Sequence, residues 1–133
     1  SHAAGDVPVL GYHFPKVSAP GIPVGLLDEL PIAGCKDSSG DPNRLLDEVT
    51  TVQMPIYVGN AAVLALAGPL GVAGAILAAA NAEPELCLEA FGGSPEAQRG
   101  LARTHSLTML PLGEGLKVEM TKRWGTPVHA RIR

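Results

Sequence analysis

The stretch Ile32-Ala33-Gly34-Cys35-Lys36-Asp37-Ser38-Ser39-Gly40-Asp41-Pro42 decides how the chain is read. Four small or apolar residues run into a lysine and a polar cluster. Asp41-Pro42 then has the pattern of a helix N-cap followed by proline at the first helical position. A buried strand that ends in a polar turn and passes into a helix is the repeating unit of a parallel α/β sheet. Working outward, the same unit recurs. Upstream, Val7-Pro8-Val9-Leu10-Gly11-Tyr12 is a β-prone run punctuated by Phe14-Pro15, and residues 21–29 hold a short amphipathic helical turn carrying Leu26 and Leu27. Downstream, Pro55-Ile56-Tyr57-Val58 closes at Gly59-Asn60 and leads into a helix-like segment over 61–67. A fourth apolar run covers 71–80 and stops at Asn81 and Pro84. Further helices are expected from Ser94-Pro95 to about Leu107 and from Gly115 to Trp124.

Composition limits the function classes. The 133 residues are 46% hydrophobic and 17% charged, enough to bury a core and unlike a disordered chain. With 16 Gly and 12 Pro, the elements should be short. A net charge of -3 and 4% aromatics give little attraction to phosphate backbones, anionic membranes or stacked single strands, so neither nucleic acid nor membrane is an expected partner. The apolar stretch 61–80 is broken by Gly68-Pro69, Gly71 and Gly74, too often for one spanning helix. Ser1-His2-Ala3-Ala4-Gly5 has no signal-peptide pattern, so a soluble cytoplasmic protein is expected. Cys35 and Cys87 lie in apolar surroundings and outside any CxxC, which suits buried reduced thiols. His2, His105 and His129 are too scattered for a metal site. Lys117, Lys122, Arg123, Arg131 and Arg133 suit a solvated helix face and a tail.

The polar residues gather just after the carboxyl ends of the strand-like runs: Tyr12-His13, Lys36 to Ser39, Gly59-Asn60 and Asn81. Closed barrels and open α/β sheets both place their chemistry on that face. No GxGxxG follows the first strand. A Lys36 amine held out of water can attack a carbonyl as the neutral nucleophile. It can equally snorkel to the surface or pair with Asp37. Tyr12, at the matching strand end, is placed for proton transfer, or else packs with its hydroxyl hydrogen-bonded. His13 contacts substrate or serves as a structural loop histidine.

These residues carry a resemblance. Tyr12-His13-Phe14-Pro15, then Gly34 to Asp41, then Val58-Gly59, then Gly74-Ala75-Ile76-Leu77-Ala78-Ala79-Ala80-Asn81 resemble, in order and spacing, the strand ends of the dihydrodipicolinate synthase/N-acetylneuraminate lyase family. Pro84-Glu85 resembles the family's continuation. The resemblance implies an α/β fold, the C-terminal half of a (β/α)8 TIM barrel (about strands 5 to 8) plus C-terminal helices. On this reading 1–92 hold four βα units of a barrel with the Schiff-base lysine, and 93–133 form a C-terminal helical extension.

The resemblance also implies a class I aldolase or lyase. Lys36 would form a Schiff base with pyruvate or another 2-oxo acid, and Tyr12 would carry protons to and from the substrate. The main chain of Gly59 and Ile76 would border the 2-oxo acid. It implies no metal or organic cofactor, small-molecule 2-oxo acid and aldehyde partners, and a homo-oligomer, dimer or tetramer. Departures from the pattern concern the aldehyde. Val17, beside Lys16, stands where dihydrodipicolinate synthases carry a carboxylate-anchoring arginine. Asn60-Ala61-Ala62 and Ala78 replace the polar residues of sialate lyases. A pocket of Val17, Ala61, Leu77 and Ala78 suits a small or apolar aldehyde. The alternatives are a dihydrodipicolinate-synthase-like condensing enzyme, or a non-catalytic half-barrel. The second arises because the family's carboxylate-holding Gly-Thr-(Thr/Ser) element lies in its N-terminal half, and because a sheet of only these strands has open edges.

Overall fold

The computed structural model describes residues 5–110 and 114–127; His2, His129, Arg131 and Arg133 lie outside the described residues. Short strands alternate with helices. The strands are β1 (Leu10–His13), β2 (Gly34–Asp37), β3 (Ile56–Val58) and β4 (Gly74–Ala75), all parallel in the order β1-β2-β3-β4. A 3-10 helix, Val24–Glu29, joins β1 to β2. After β2 comes α1 (Pro42–Thr51), and after β3 a 3-10 turn (Ala61–Val63) running into α2 (Leu64–Ala67). Then follow α3 (Pro84–Phe91), α4 (Pro95–Gly100), α5 (Ala102–Thr108) and α6 (Glu114–Trp124). This is half of a (β/α)8 barrel with additional C-terminal helices.

Local chemistry starts the helices. Asp41 Oδ1 accepts the Asn43 N–H at 2.8 Å ahead of Pro42, Asn60 Oδ1 accepts the Ala62 N–H at 2.9 Å, and Ser94 Oγ accepts the Ala97 N–H at 3.2 Å ahead of Pro95. Each cap sits directly after a strand or a turn, so the chain reverses within a few residues.

The register sorts side chains by face. Tyr12 pairs with Lys36, Lys36 with Tyr57, and Tyr57 with Gly74. One residue along, His13 pairs with Asp37, Asp37 with Val58, and Val58 with Ala75. Because side chains alternate along a strand, the two rows lie on opposite faces. In the His13 row, His13, Asp37 and Val58 are buried against helices, as is the Cys35–Ile56 pair, and Leu45, Leu64, Ala67, Ala90 and Leu101 fill the core, while Ala75 at the sheet edge is exposed. The Tyr12 row faces what would be the barrel interior, and there Leu10 is 40% and Tyr12 52% exposed.

Several expectations need correction. Lys36 and Asp37 are inside β2 rather than after it, because the ladder continues through Ser38 N–H to His13 O (2.9 Å) and Gly59 N–H to Asp37 O (2.6 Å). The first run is a strand only from Leu10, with the Val9 carbonyl accepting the Ala33 N–H at 2.8 Å just ahead of it; Pro8 has no N–H to give a ladder. The apolar run 71–80 is a strand only at Gly74–Ala75, since β4 has a neighbour on one side only, and it coils into a 3-10 turn at Ala79–Asn81. The helix expected from Ser94 to Leu107 is two helices, divided at Gly100-Leu101 so that the Leu101 side chain is fully buried. Helix α3 has no counterpart in the sequence reading. Cys35 and Cys87 are buried free thiols, as expected.

Core packing should outweigh capping in stability. Leu64→Ala, at a fully buried position, is expected to cost about 2–5 kcal/mol. Asp41→Ala, which removes one cap bond, should cost about 1 kcal/mol. Denaturant titration of the two variants checks the order; equal losses would mean that Asp41 holds more than the helix end.

Candidate active site

Lys36 rises from the middle of the exposed row, between Tyr12 and Tyr57. Its Nζ lies 4.5 Å from the centroid of the Tyr12 ring, a cation–π contact. The stem passes Gly59, where any side chain is excluded. A Cβ there would stand 2.7 Å from Lys36 Cε and overlap Ser38 Oγ. The space that Gly59 leaves open is part of a cavity of about 170 Å³ at the carboxyl ends of the strands.

Of the residues singled out from sequence, Lys36, Tyr12, Gly59, Ile76 and Ala78 all line this cavity. Leu77 and Ala61 line it too. Val17 does not; it is 76% exposed, and its neighbour Lys16 takes the place on the rim. His13 is turned to the helix face. It is buried, its Nδ1 accepts the Ile22 N–H at 2.9 Å, and Gly21 (φ 80°) packs against its ring. Burial, then the Arg44 charge, lower its pKa, with Asp37 opposing. Of the two readings, His13 takes the structural one.

Sequence reasoning missed four contributors to the cavity. Ser38 is 5% exposed, and its Oγ has no hydrogen-bond partner. Its spacing of two from Lys36 was the available signal, since alternate strand residues share a face. His105 and Thr108 of α5, with Met109 just beyond, close the cavity from above. No local pattern could reveal them, because α5 meets the strand ends only through tertiary packing. Burial and then the charge of Lys16, on the loop after β1, lower the His105 pKa.

Behind Lys36, on the helix face, lies a buried charged cluster. Asp37, 4% exposed, accepts the Ser39 N–H at 2.8 Å and the Ser39 hydroxyl at 2.9 Å. Arg44 Nε stands 3.8 Å from Asp37 Oδ1, and its Nη2 stands 2.8 Å from Oε1 of the fully buried Glu48. The latter contact is an ion pair without hydrogen-bond alignment. Burial, then the Asp37 charge, push the Glu48 carboxyl up to about 7, against the pull of Arg44. Burial, then Glu48, push the Cys35 thiol up to about 11, which leaves it protonated and inert. Among the described residues no group of three or more His, Cys, Asp or Glu is arranged to hold a metal ion, and no helix is long and apolar enough to cross a membrane.

Known proteins resemble the chain in sequence and in fold. No protein-family model matches it. Uncharacterized DapA-like lyases of two Halobacterium salinarum strains are each 32% identical over 120 residues, or 86% of this chain and 40% of theirs. The chain thus spans less than half the length of these relatives. Among solved structures, a protein from Thermus thermophilus assigned as a dihydrodipicolinate synthase superposes with TM-score 0.78 at 28% identity, over 96% of this chain and 49% of that one. The dihydrodipicolinate synthase of Acinetobacter baumannii, solved with pyruvate, gives TM-score 0.74 at 23% identity, over 88% and 45%. A 2-keto-3-deoxygluconate aldolase from Sulfolobus gives 0.73 at 20% identity, over 91% and 45%, and these last two structures support the fold alone. In the order of its strand ends, in sequence and in its half-barrel, the chain is similar to the C-terminal half of the dihydrodipicolinate synthase/N-acetylneuraminate lyase barrel.

Proposed function

We propose that the protein carrying this chain is a class I lyase in which Lys36 forms an imine with pyruvate or a related 2-oxo acid. The observation that supports this most is the Lys36 amine, seated at 4.5 Å on the Tyr12 ring beside a cavity that Gly59, where any side chain would clash with Lys36 and Ser38, helps keep open. The amine attacks the 2-oxo carbon and water leaves, giving a protonated imine. In the cleavage direction the C3–C4 bond breaks. Its electron pair enters the iminium as an enamine, while the C4 hydroxyl gives its proton to Tyr12 and leaves as the aldehyde carbonyl. Protonation at C3 and hydrolysis then release pyruvate and free Lys36; condensation is the reverse. The imine itself is the electron sink, so this chemistry calls for no metal or organic cofactor.

The 2-oxo acid is bordered by the main chain at Gly59 and Ile76, and the buried Ser38 hydroxyl offers an unspent hydrogen bond on the same wall. The aldehyde end meets Leu77 and Ala78, with Val17 outside, and these two apolar side chains favour a small or apolar aldehyde over a polyhydroxy one. A homo-oligomeric cytoplasmic enzyme fits the family. A dihydrodipicolinate-synthase-like condensation would use the same imine. The half-exposed Tyr12 row favours a further reading, a non-catalytic half-barrel, for this chain alone. Activity on our reading belongs to the whole barrel.

Incubation of the intact protein with pyruvate and borohydride should add a reduced pyruvyl group to Lys36, found by peptide mass spectrometry. An unmodified Lys36 in a sample that contains the whole barrel would sink the proposal. Tyr12→Phe keeps the ring under the amine and removes only the hydroxyl. It should still trap pyruvate but lose roughly 10²–10⁴-fold in turnover, the usual range for a lost proton carrier. Undiminished turnover would remove Tyr12 from the mechanism. Gly59→Ala should cost about 1–3 kcal/mol by overpacking and abolish trapping, because its methyl meets Lys36 Cε and Ser38. Trapping at the unsubstituted rate would show that the stem runs elsewhere.

A further inference from the structure

We infer that Arg44 is a positioning residue for Lys36, holding the end of β2 from behind so that the lysine amine and the Ser38 hydroxyl enter the cavity together. The consequence for catalysis rests on the proposed role of Lys36; the placement of the side chain does not.

The strand end is tied at three points. Ser38 N–H donates to His13 O, Gly59 N–H donates to Asp37 O, and the Asp37 carboxylate closes the turn by accepting from both the N–H and the hydroxyl of Ser39. Asp37 stands between Lys36 and Ser38 in the chain, so its side chain cannot swing without moving both. A carboxylate so buried needs a partner charge, and Arg44, near the start of α1, supplies it. Arg44 is shared, however, because Glu48 one turn along competes for the same guanidinium at 2.8 Å.

One cation therefore faces two buried carboxylates. The other titratable groups around them are Cys35 on β2, His13 on β1 and Asp47 on α1. Asp28, in the 3-10 helix packed against α1, is engaged by the Gln53 and Met54 N–H groups. A proton relieves the surplus negative charge, and the Glu48 carboxyl, raised by burial and by Asp37 from 4.5 to about 7, takes it. Protonated Glu48 leaves Arg44 to Asp37, whereas ionised Glu48 draws it away. The hold on the strand end should weaken as pH rises through about 7. Stability should follow: between 4.5 and about 7 the folded state binds more protons than the unfolded one, so this group's contribution falls as pH rises through that window.

The position of Lys36 can be read without any reaction. In the full chain with 13C-labelled lysine, the Hε/Cε signal of Lys36 (assigned with Lys36→Arg) should be shifted upfield by the Tyr12 ring beneath it. That shift should decline as pH rises through about 7. Arg44→Met should lose the shift, Arg44→Lys should restore most of it, and Glu48→Gln should keep it across the whole range with an unchanged or higher melting temperature. Pyruvate trapping, run in parallel on the intact protein, should fall at least about tenfold in Arg44→Met, matching one lost charge-assisted contact. A folded Arg44→Met variant with an unchanged Lys36 shift would overturn the inference. If that variant does not fold, a Glu48→Gln variant that keeps the decline near neutral pH overturns it instead. Failure of the unsubstituted protein to trap pyruvate would defeat the imine reading and leave the Lys36 placement to be judged by the spectra alone.

Discussion

In the parallel register of the four strands, Tyr12, Lys36, Tyr57 and Gly74 stand in one row, and His13, Asp37, Val58 and Ala75 in the next. Side chains alternate strictly, so a slip of one residue in β2 would send Lys36 among the helices and bring Cys35 and Asp37 into the cavity. The register is held from the helix side. Leu45, Leu64 and Leu101 are buried there with Val58, and every helix that follows a strand adds to that layer. The amine is thus placed by packing that it does not touch.

The two faces are bound by different rules. The helix face holds the packed core behind β2 and β3. The opposite face leaves Leu10 and Tyr12 open, and β1 and β4 are edges. Near β4, Leu77, Ala80, Cys87, Leu88 and Phe91 line an apolar hollow, with Leu88 74% exposed. Parallel sheets are stable when both faces and edges are covered. The relatives run to more than twice the aligned span of this chain, and a whole barrel of that length has strands enough to close both edges and shelter the Tyr12 row. The same closure would cover Lys36, which stands in that row, so the surroundings of the amine and the closure of the sheet are one matter.

Much of this was legible in the sequence because it is local. The strand-to-helix punctuation at Asp41-Pro42, Asn60 and Ser94-Pro95 is chemistry between neighbours, and each cap is present. The gathering of Lys36, Tyr12, Gly59, Ile76 and Ala78 followed from the strand-end motifs. What escaped is tertiary. Hydropathy ran the fourth apolar segment through to 80, but the strand ends at Ala75, the ladder closes with Ile76 N–H to Val58 O at 2.9 Å, and the chain then coils into the 3-10 turn at Ala79–Asn81. Helix α3 hid behind Pro84, which marks a helix start as well as a strand stop. His105 reaches the cavity from a helix some seventy residues beyond Lys36 in the chain, and no spacing rule spans that distance. Val17 was placed in the acceptor pocket by alignment with a motif, yet the turn after Pro15 presents Lys16 to the rim and leaves Val17 in water.

The cluster of Asp37, Arg44 and Glu48 bears on why the register is single. Apolar contacts are tolerant, and a leucine layer shifted by a few tenths of an ångström loses little. A guanidinium held between two buried carboxylates is not tolerant, because any slip leaves a charge unpaired in a dry interior at a cost of several kcal/mol, roughly the whole margin of a small domain. An apolar trio of similar size would pack as well or better, so the cluster is a poor source of stability. Its effect is to penalise the alternatives. Asp37 also forms part of the turn that carries Ser38 into the cavity. The same bonds that forbid a slipped strand therefore aim the Lys36 end of β2, and fold specificity and cavity geometry share one set of atoms.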